Sequence, residues 1–141
     1  MTDYEALQIT IKITGFRMNP QYQAAEALRR KSQAQTLASS DQNSNEHAAV
    51  RLLIGTWDRI AVFVRDFNTN QRRQFFRCNP VSLVWRSLQP AIYIIRGGGT
   101  VGPNFAREFE NLAHDYDEWA QSPDGQEFRT EAQQTACALF A

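Results

Sequence analysis

The sequence predicts an all-α, single-domain bundle of five or six helices, preceded by a segment, Leu7–Ile13, that fits either a β-strand or a helix. Three observations carry this. In Asn79–Arg96, the apolar residues Val81, Val84, Trp85, Leu88, Ala91, Ile92 and Ile95 recur at helical steps and form one wide face. Glu46–Phe67 repeats the pattern with Leu53, Trp57, Ile60, Ala61 and Val64. The capping pairs Asn19-Pro20, Asn79-Pro80 and Ser122-Pro123 each announce a helix start, because proline lacks the N–H that a first helical residue cannot pair anyway.

Taken in order, Leu7, Ile9, Ile11 and Ile13 alternate with polar residues, the period of a half-buried strand. No other segment alternates this way, so such a strand needs a second copy or a partner protein to satisfy its backbone. Residues 1–18 are therefore read as a strand or helix extension, and 19–141 as the bundle domain. Residues 20–38 read as one helix, with Arg29-Arg30-Lys31 on a solvated face. The polar run 39–46 is a loop. Gly55, inside the 46–67 helix, suggests a close helix crossing. A short helix, Gln71–Arg77, follows a cap at Thr69 and turns Phe75 and Phe76 inward. Pro90 should kink the 79–96 helix, and Gly97-Gly98-Gly99 should end it. Pro103 opens the next helix, whose stripe is Phe105, Phe109, Leu112, Tyr116 and Trp119, and a weaker helix runs from Pro123 to the end.

A 43% apolar content over 141 residues supports a sizeable core. No apolar run approaches the roughly 20 residues of a membrane-spanning helix. The acidic start MTDYEALQ lacks a basic leader region, and Cys78 and Cys137 are read as reduced thiols, so a cytoplasmic setting is expected. The formal net charge of zero conceals a division: residues 1–100 hold 13 Lys/Arg and 7 Asp/Glu, whereas residues 101–141 hold 2 and 8. The simplest consequence is an internal seam, with Arg86 and Arg96 facing Glu108, Glu110, Asp115 or Glu118.

Chemistry-bearing motifs are sparse. Glu110, His114 and Glu118 share a helix face, the spacing that a metal-dependent enzyme centred on His114 would use. Residues 96–102, RGGGTVG, lack the lysine and the preceding strand of a phosphate loop. Cys78 has no neighbouring histidine and is read as an inert, at least partly buried thiol. No cofactor and no catalytic set is expected. The candidate binding residues are Arg72, Arg73, Arg77, Arg86, Tyr93 and Arg96, an arginine-rich face suited to nucleic acid or another anionic ligand. Leu7, Ile9, Ile11 and Ile13 are the candidate dimer or partner element.

The run Trp57-Asp58-Arg59-Ile60-Ala61, then Asn79-Pro80 through Trp85, Leu88-Gln89-Pro90, Ile95-Arg96, Phe109-Glu110-Asn111-Leu112-Ala113 and Trp119 resembles a family of uncharacterised bacterial helical domains of unknown function. The resemblance covers about residues 50–120 and rests on packing patterns. Family members often sit behind one or two membrane-spanning helices, which this chain lacks. The resemblance implies a helical fold and a bacterial or phage setting, and it supplies no catalytic residues. The expected function is a non-enzymatic protein-interaction module that binds another protein or its own copy.

Overall fold

The computed structural model describes residues 1–97 and 102–140, with the side chains of 136–140 outside the description. Eight helices make up the described chain: α1 (Asp3–Met18), α2 (Pro20–Lys31), α3 (Ala34–Ala38), α4 (Asn45–Phe63), α5 (Thr69–Cys78), α6 (Val81–Gly97), α7 (Arg107–Gln121) and α8 (Pro123–Phe140). The all-α class holds, but the count of five or six does not. Leu7–Ile13 is helical, and residues 20–38 form two helices separated at Ser32-Gln33. Both linking residues are extended, and α3 has no side-chain cap. The break lets the chain leave α4, on which α2 packs, and carry Leu37 onto α6.

The N-terminal strand is corrected by helix geometry. Each residue turns a helix by about 100°, so residues two apart lie about 200° apart and residues four apart nearly coincide. An alternating apolar segment therefore becomes a helix with two opposite apolar faces. Ile13 is buried and Ile9 packs at the edge of the core, whereas Leu7 and Ile11 face outward. The helical alternative is supported from both ends. Thr2 and Glu5 form a reciprocal capping box, and Asn19 caps the helix that follows. Thr10 and Thr14 direct their hydroxyls to the carbonyls one turn earlier, at 2.8 and 3.0 Å.

α4 and α6 lie at the centre, yet α7 wedges between them rather than leaving them to pack mainly on each other. Phe109 stacks on Trp57 of α4 at 5.9 Å and meets Trp85 of α6 edge-on at 5.1 Å. All three rings are buried. Trp57 donates its Nε1–H to the Tyr22 hydroxyl at 3.0 Å, which ties α2 to the same point. A second aromatic group, Phe76, Tyr116, Trp119 and Phe128, joins α5, α7 and α8.

The helix starts differ from expectation in three places. Asn68, not Thr69, caps α5, in a capping box with Gln71. The Asn79 side chain does not cap α6. It donates to the Phe75 carbonyl at 2.9 Å, closing α5, and accepts from Arg17. α7 begins four residues after Pro103, following Ala106, whose φ of 60° is left-handed. With no local cap there, Asp58 of α4 accepts the Phe109 N–H at 3.0 Å. α6 continues through Pro90. The proposed glycine stop at Gly98-Gly99 lies outside the described residues.

Gly55 marks no close crossing: it is exposed, and an added Cβ would have nothing within 4 Å. Gly125 is where glycine is required, because a Cβ there would lie 2.1 Å from the Trp119 carbonyl oxygen at the α7–α8 corner.

Two substitutions test this architecture. Phe109→Ala should lower the unfolding free energy by about 3–5 kcal/mol in chemical denaturation, with Phe109→Leu costing less. Gly55→Ala should raise it by about 0.5–1 kcal/mol, since the helix gains propensity and meets no obstacle.

Candidate interaction surface

The inner side of α1 is held by a small set of contacts. Ala6 and Ile13 are buried, and Phe16 packs on Phe63 at 5.9 Å. Cations flank that aromatic pair, with Arg59 5.5 Å from the Phe16 ring and Lys12 5.2 Å from the Phe63 ring. Polar clamps hold each end of the helix. Gln71 donates to Asp3 at 2.8 Å and to the Met1 carbonyl at 3.1 Å. Arg17 donates to Asn79 at 2.7 Å, with its guanidinium 5.7 Å from the Trp57 ring.

The opposite side of α1 is apolar and open. Tyr4, Leu7, Ile11 and Met18 are 69%, 57%, 63% and 71% exposed. With exposed Thr14 they follow steps of three, four, three and four, the spacing of a helix–helix seam. Leu7 and Thr10 also border a groove of about 380 Å³ between α1 and α5, whose far wall includes Gln74, Phe75 and Cys78. Among the described residues, the other exposed apolar side chains do not line up in this way. On α6, Leu83 and Ile94 share a side but are separated by half-buried Ser87 and Pro90.

Thus the candidate partner element is divided. Leu7 and Ile11 belong to the open face, and Ile9 and Ile13 to the bundle. Tyr4 and Met18, which the strand reading passed over, complete the face. Their signal was a heptad spacing hidden beneath the two-residue alternation.

The five candidate arginines all meet carboxylates of the acidic C-terminal helices. Arg72 pairs with Asp115. Arg77 reaches Asp124 at 2.8 Å and Glu131 at 3.6 Å, and Arg73 reaches Asp124 at 3.7 Å. Arg86 lies 3.6 Å from Asp117 and is mostly exposed. Arg96 faces both oxygens of Glu110 at 3.3 Å, donates to the Phe105 carbonyl at 2.8 Å and lies 5.7 Å from the Tyr93 ring. Tyr93 is exposed and accepts from Gln89 at 2.8 Å. Arg72 and Arg73 line a shallow groove of about 590 Å³, but Asp115, Glu118 and Asp124 share its wall. The partners Asp117 and Asp124 were not anticipated for this seam. Their signal was the surplus of acid in the last third of the chain.

Elsewhere, Glu110 is buried against Arg96 and Arg107 rather than surface-exposed. It is thereby separated in role from exposed His114 and Glu118. Among the described residues, no group of three or more His, Cys, Asp or Glu side chains is placed to hold a metal ion. Arg29 is also buried rather than solvated. It holds both oxygens of buried Glu26, at 2.8 and 2.9 Å, and reaches Ser87 of α6 at 3.0 Å. Cys78 is exposed, not buried. Most of RGGGTVG and the Cys137 side chain lie outside the described residues.

Titration is displaced at a few points. The hydrogen bond from Arg77 holds the Asp124 carboxyl below its ordinary value, and that from Trp119 adds to the effect. Burial pushes the Tyr116 hydroxyl up. Burial does the same for Tyr22, with nearby Glu26 reinforcing it.

No family model, no curated protein and no solved structure matches the chain. Among the described residues, no helix is long and apolar enough to cross a membrane.

The Asp124 shift has a testable sign. A carboxyl depressed in the folded state stabilises fully above its unfolded value, and the contribution is lost as pH falls through the folded value. Thermal unfolding followed from neutral pH into the acid range should therefore show a steeper loss for the natural chain than for Asp124→Asn. Equal acid slopes would remove the Arg77–Asp124 pair as a contributor.

Proposed function

We propose that this chain is a non-enzymatic protein-interaction module, in a bacterial or phage cytoplasmic setting, that docks an apolar helix against the outward face of α1. The observation that carries the reading is the alignment of Tyr4, Leu7, Ile11 and Met18, all more than half exposed, along one side of one helix. Isolated exposed apolar residues are normal on a protein surface, whereas a contiguous apolar stripe marks a contact site. Covering a fully exposed leucine or isoleucine side chain is worth roughly 1.5–3 kcal/mol, and more than half of that remains available at Leu7 and Ile11.

Helix-on-helix docking suits this surface. An apolar seam with three- and four-residue steps accepts knobs from a facing helix, and the groove beside Leu7 gives a partner side chain somewhere to enter. Binding of nucleic acid or another anionic ligand through the arginines has less support, because carboxylates already face those side chains. Catalysis centred on His114 has less support for a similar reason: its nearest motif partner, Glu110, is committed to two arginines.

Site-specific photo-crosslinking in living cells tests the reading. A photoreactive residue at Leu7 or Ile11 should give a discrete protein adduct, whereas one at exposed Gln126 on α8 should not. Leu7→Glu in a chain carrying the crosslinker at Ile11 should abolish the adduct while leaving stability within about 0.5 kcal/mol. Absence of any adduct from the α1 positions would overturn the proposal.

A further inference from the structure

We infer that the occupant of the α1 face is a second copy of the same helix, lying antiparallel to the first, with Leu7 of each copy against Ile11 of the other. This rests on the reading of α1 as a docking surface and adds the identity and direction of the partner.

The first argument is self-complementarity. A two-fold contact requires one surface to fit itself. An antiparallel register that sets Leu7 against Ile11 makes two equivalent central layers. It also sets Tyr4, the largest side chain of the stripe, against Thr14, its smallest, at each end. Exposed Gln8 then flanks the seam near its own copy, where its amide can both donate and accept. The stripe lies opposite buried Ala6 and Ile13, so the two bundles extend away from the helix pair on opposite sides.

The second argument is charge. α1 has Asp3 and Glu5 in its first turn and Arg17 in its last, with Lys12 between. The helix dipole adds positive character at the N-terminus and negative at the C-terminus. In an antiparallel pair the acidic first turn of one helix lies beside the basic last turn of the other, and the dipoles oppose. A parallel pair would set like-charged ends together and lay the dipoles side by side in the same direction. The complementary ends favour the same chain over an unrelated partner, because every charge needed is already present twice.

The pair is not expected to be permanent. α1 has 16 residues, a contact about 24 Å long. That is short for a standard interface of about 800 Å² per partner, so the pair is expected to dissociate reversibly.

Sedimentation equilibrium on the purified chain, with disulfide mapping, tests the inference. The natural chain should show a reversible monomer–dimer equilibrium. Leu7→Glu with Ile11→Glu should weaken it by at least roughly tenfold without changing the helical circular dichroism, since the carboxylates would be buried at the seam. In a Cys78→Ser, Cys137→Ser background, Leu7→Cys chains mixed with Ile11→Cys chains should oxidise to the mixed dimer faster than to either homodimer. Preferential homodimer bonds would overturn the antiparallel register. A natural chain that stays monomeric at every concentration, while α1 crosslinks to a different protein in cells, would overturn self-pairing and leave the docking surface intact. A monomer with no α1 adduct in cells would remove both.

Discussion

The Phe109 ring, held between Trp57 and Trp85, is the contact on which the bundle depends. α4 and α6 are the two most apolar helices, and either could have packed on the other directly. The wedge between them instead makes α7 a structural partner of both. Aromatic faces and edges have fixed preferences, so one stacked and one edge-on contact define the angle of α7 more sharply than aliphatic packing would. The Phe109 backbone is fixed as well, because its N–H is received by Asp58, one residue beyond Trp57. A single turn of α4 thus sets both the ring and the helix start. That external cap compensates for a helix that begins after left-handed Ala106 with no cap of its own.

Once α7 is seated, its acidic face determines the outer electrostatics. The turn after α4, with α5 and α6, presents Arg65, Arg72, Arg77, Arg86 and Arg96, and α7 and α8 present Glu108, Asp115, Asp124, Asp117 and Glu110 against them. These pairs are unequal. Exposed pairs such as Arg86–Asp117 add little because water and salt screen them. The Arg96–Glu110 pair is largely buried, so removing one member would strand the other. Its value lies in register: Arg96 spans Glu110 and the Phe105 carbonyl, fixing the end of α6 against the approach to α7. Buried Glu26 and Arg29 do similar work between α2 and Ser87 of α6.

Much of this was legible in the sequence, and the remainder was hidden for physical reasons. The wide apolar faces of α4 and α6 were readable because their periods match a helix, and Asn19-Pro20 and Ser122-Pro123 because a cap is local chemistry. The charge division along the chain anticipated the seam. It did not reveal that Glu110 is buried, since burial depends on which neighbour arrives. The caps at Asn79 and α7 failed as predictions for the same reason: Asn79 closes the helix before it, and α7 borrows Asp58 from 51 residues away. The break at Ser32-Gln33 has no glycine or proline to announce it, and only the need to carry Leu37 across to α6 accounts for it.

The α1 segment was ambiguous for a deeper reason. Alternation in a strand leaves one face apolar, while the same alternation in a helix leaves two. One pattern therefore describes either a strand needing neighbours along its edges or a helix needing neighbours on both sides. The folded chain resolves which, and supplies only one of the helix's two neighbours. The bundle takes Ile9, Ile13 and Phe16, and the clamps at Gln71 and Asn79 prevent α1 from rolling to bury the other side. A helix free to roll would hide part of its second stripe against the body, whereas one clamped at both ends keeps Leu7 and Ile11 facing outward. Such a face is already ordered before any partner arrives, so little conformational entropy remains to be lost on docking.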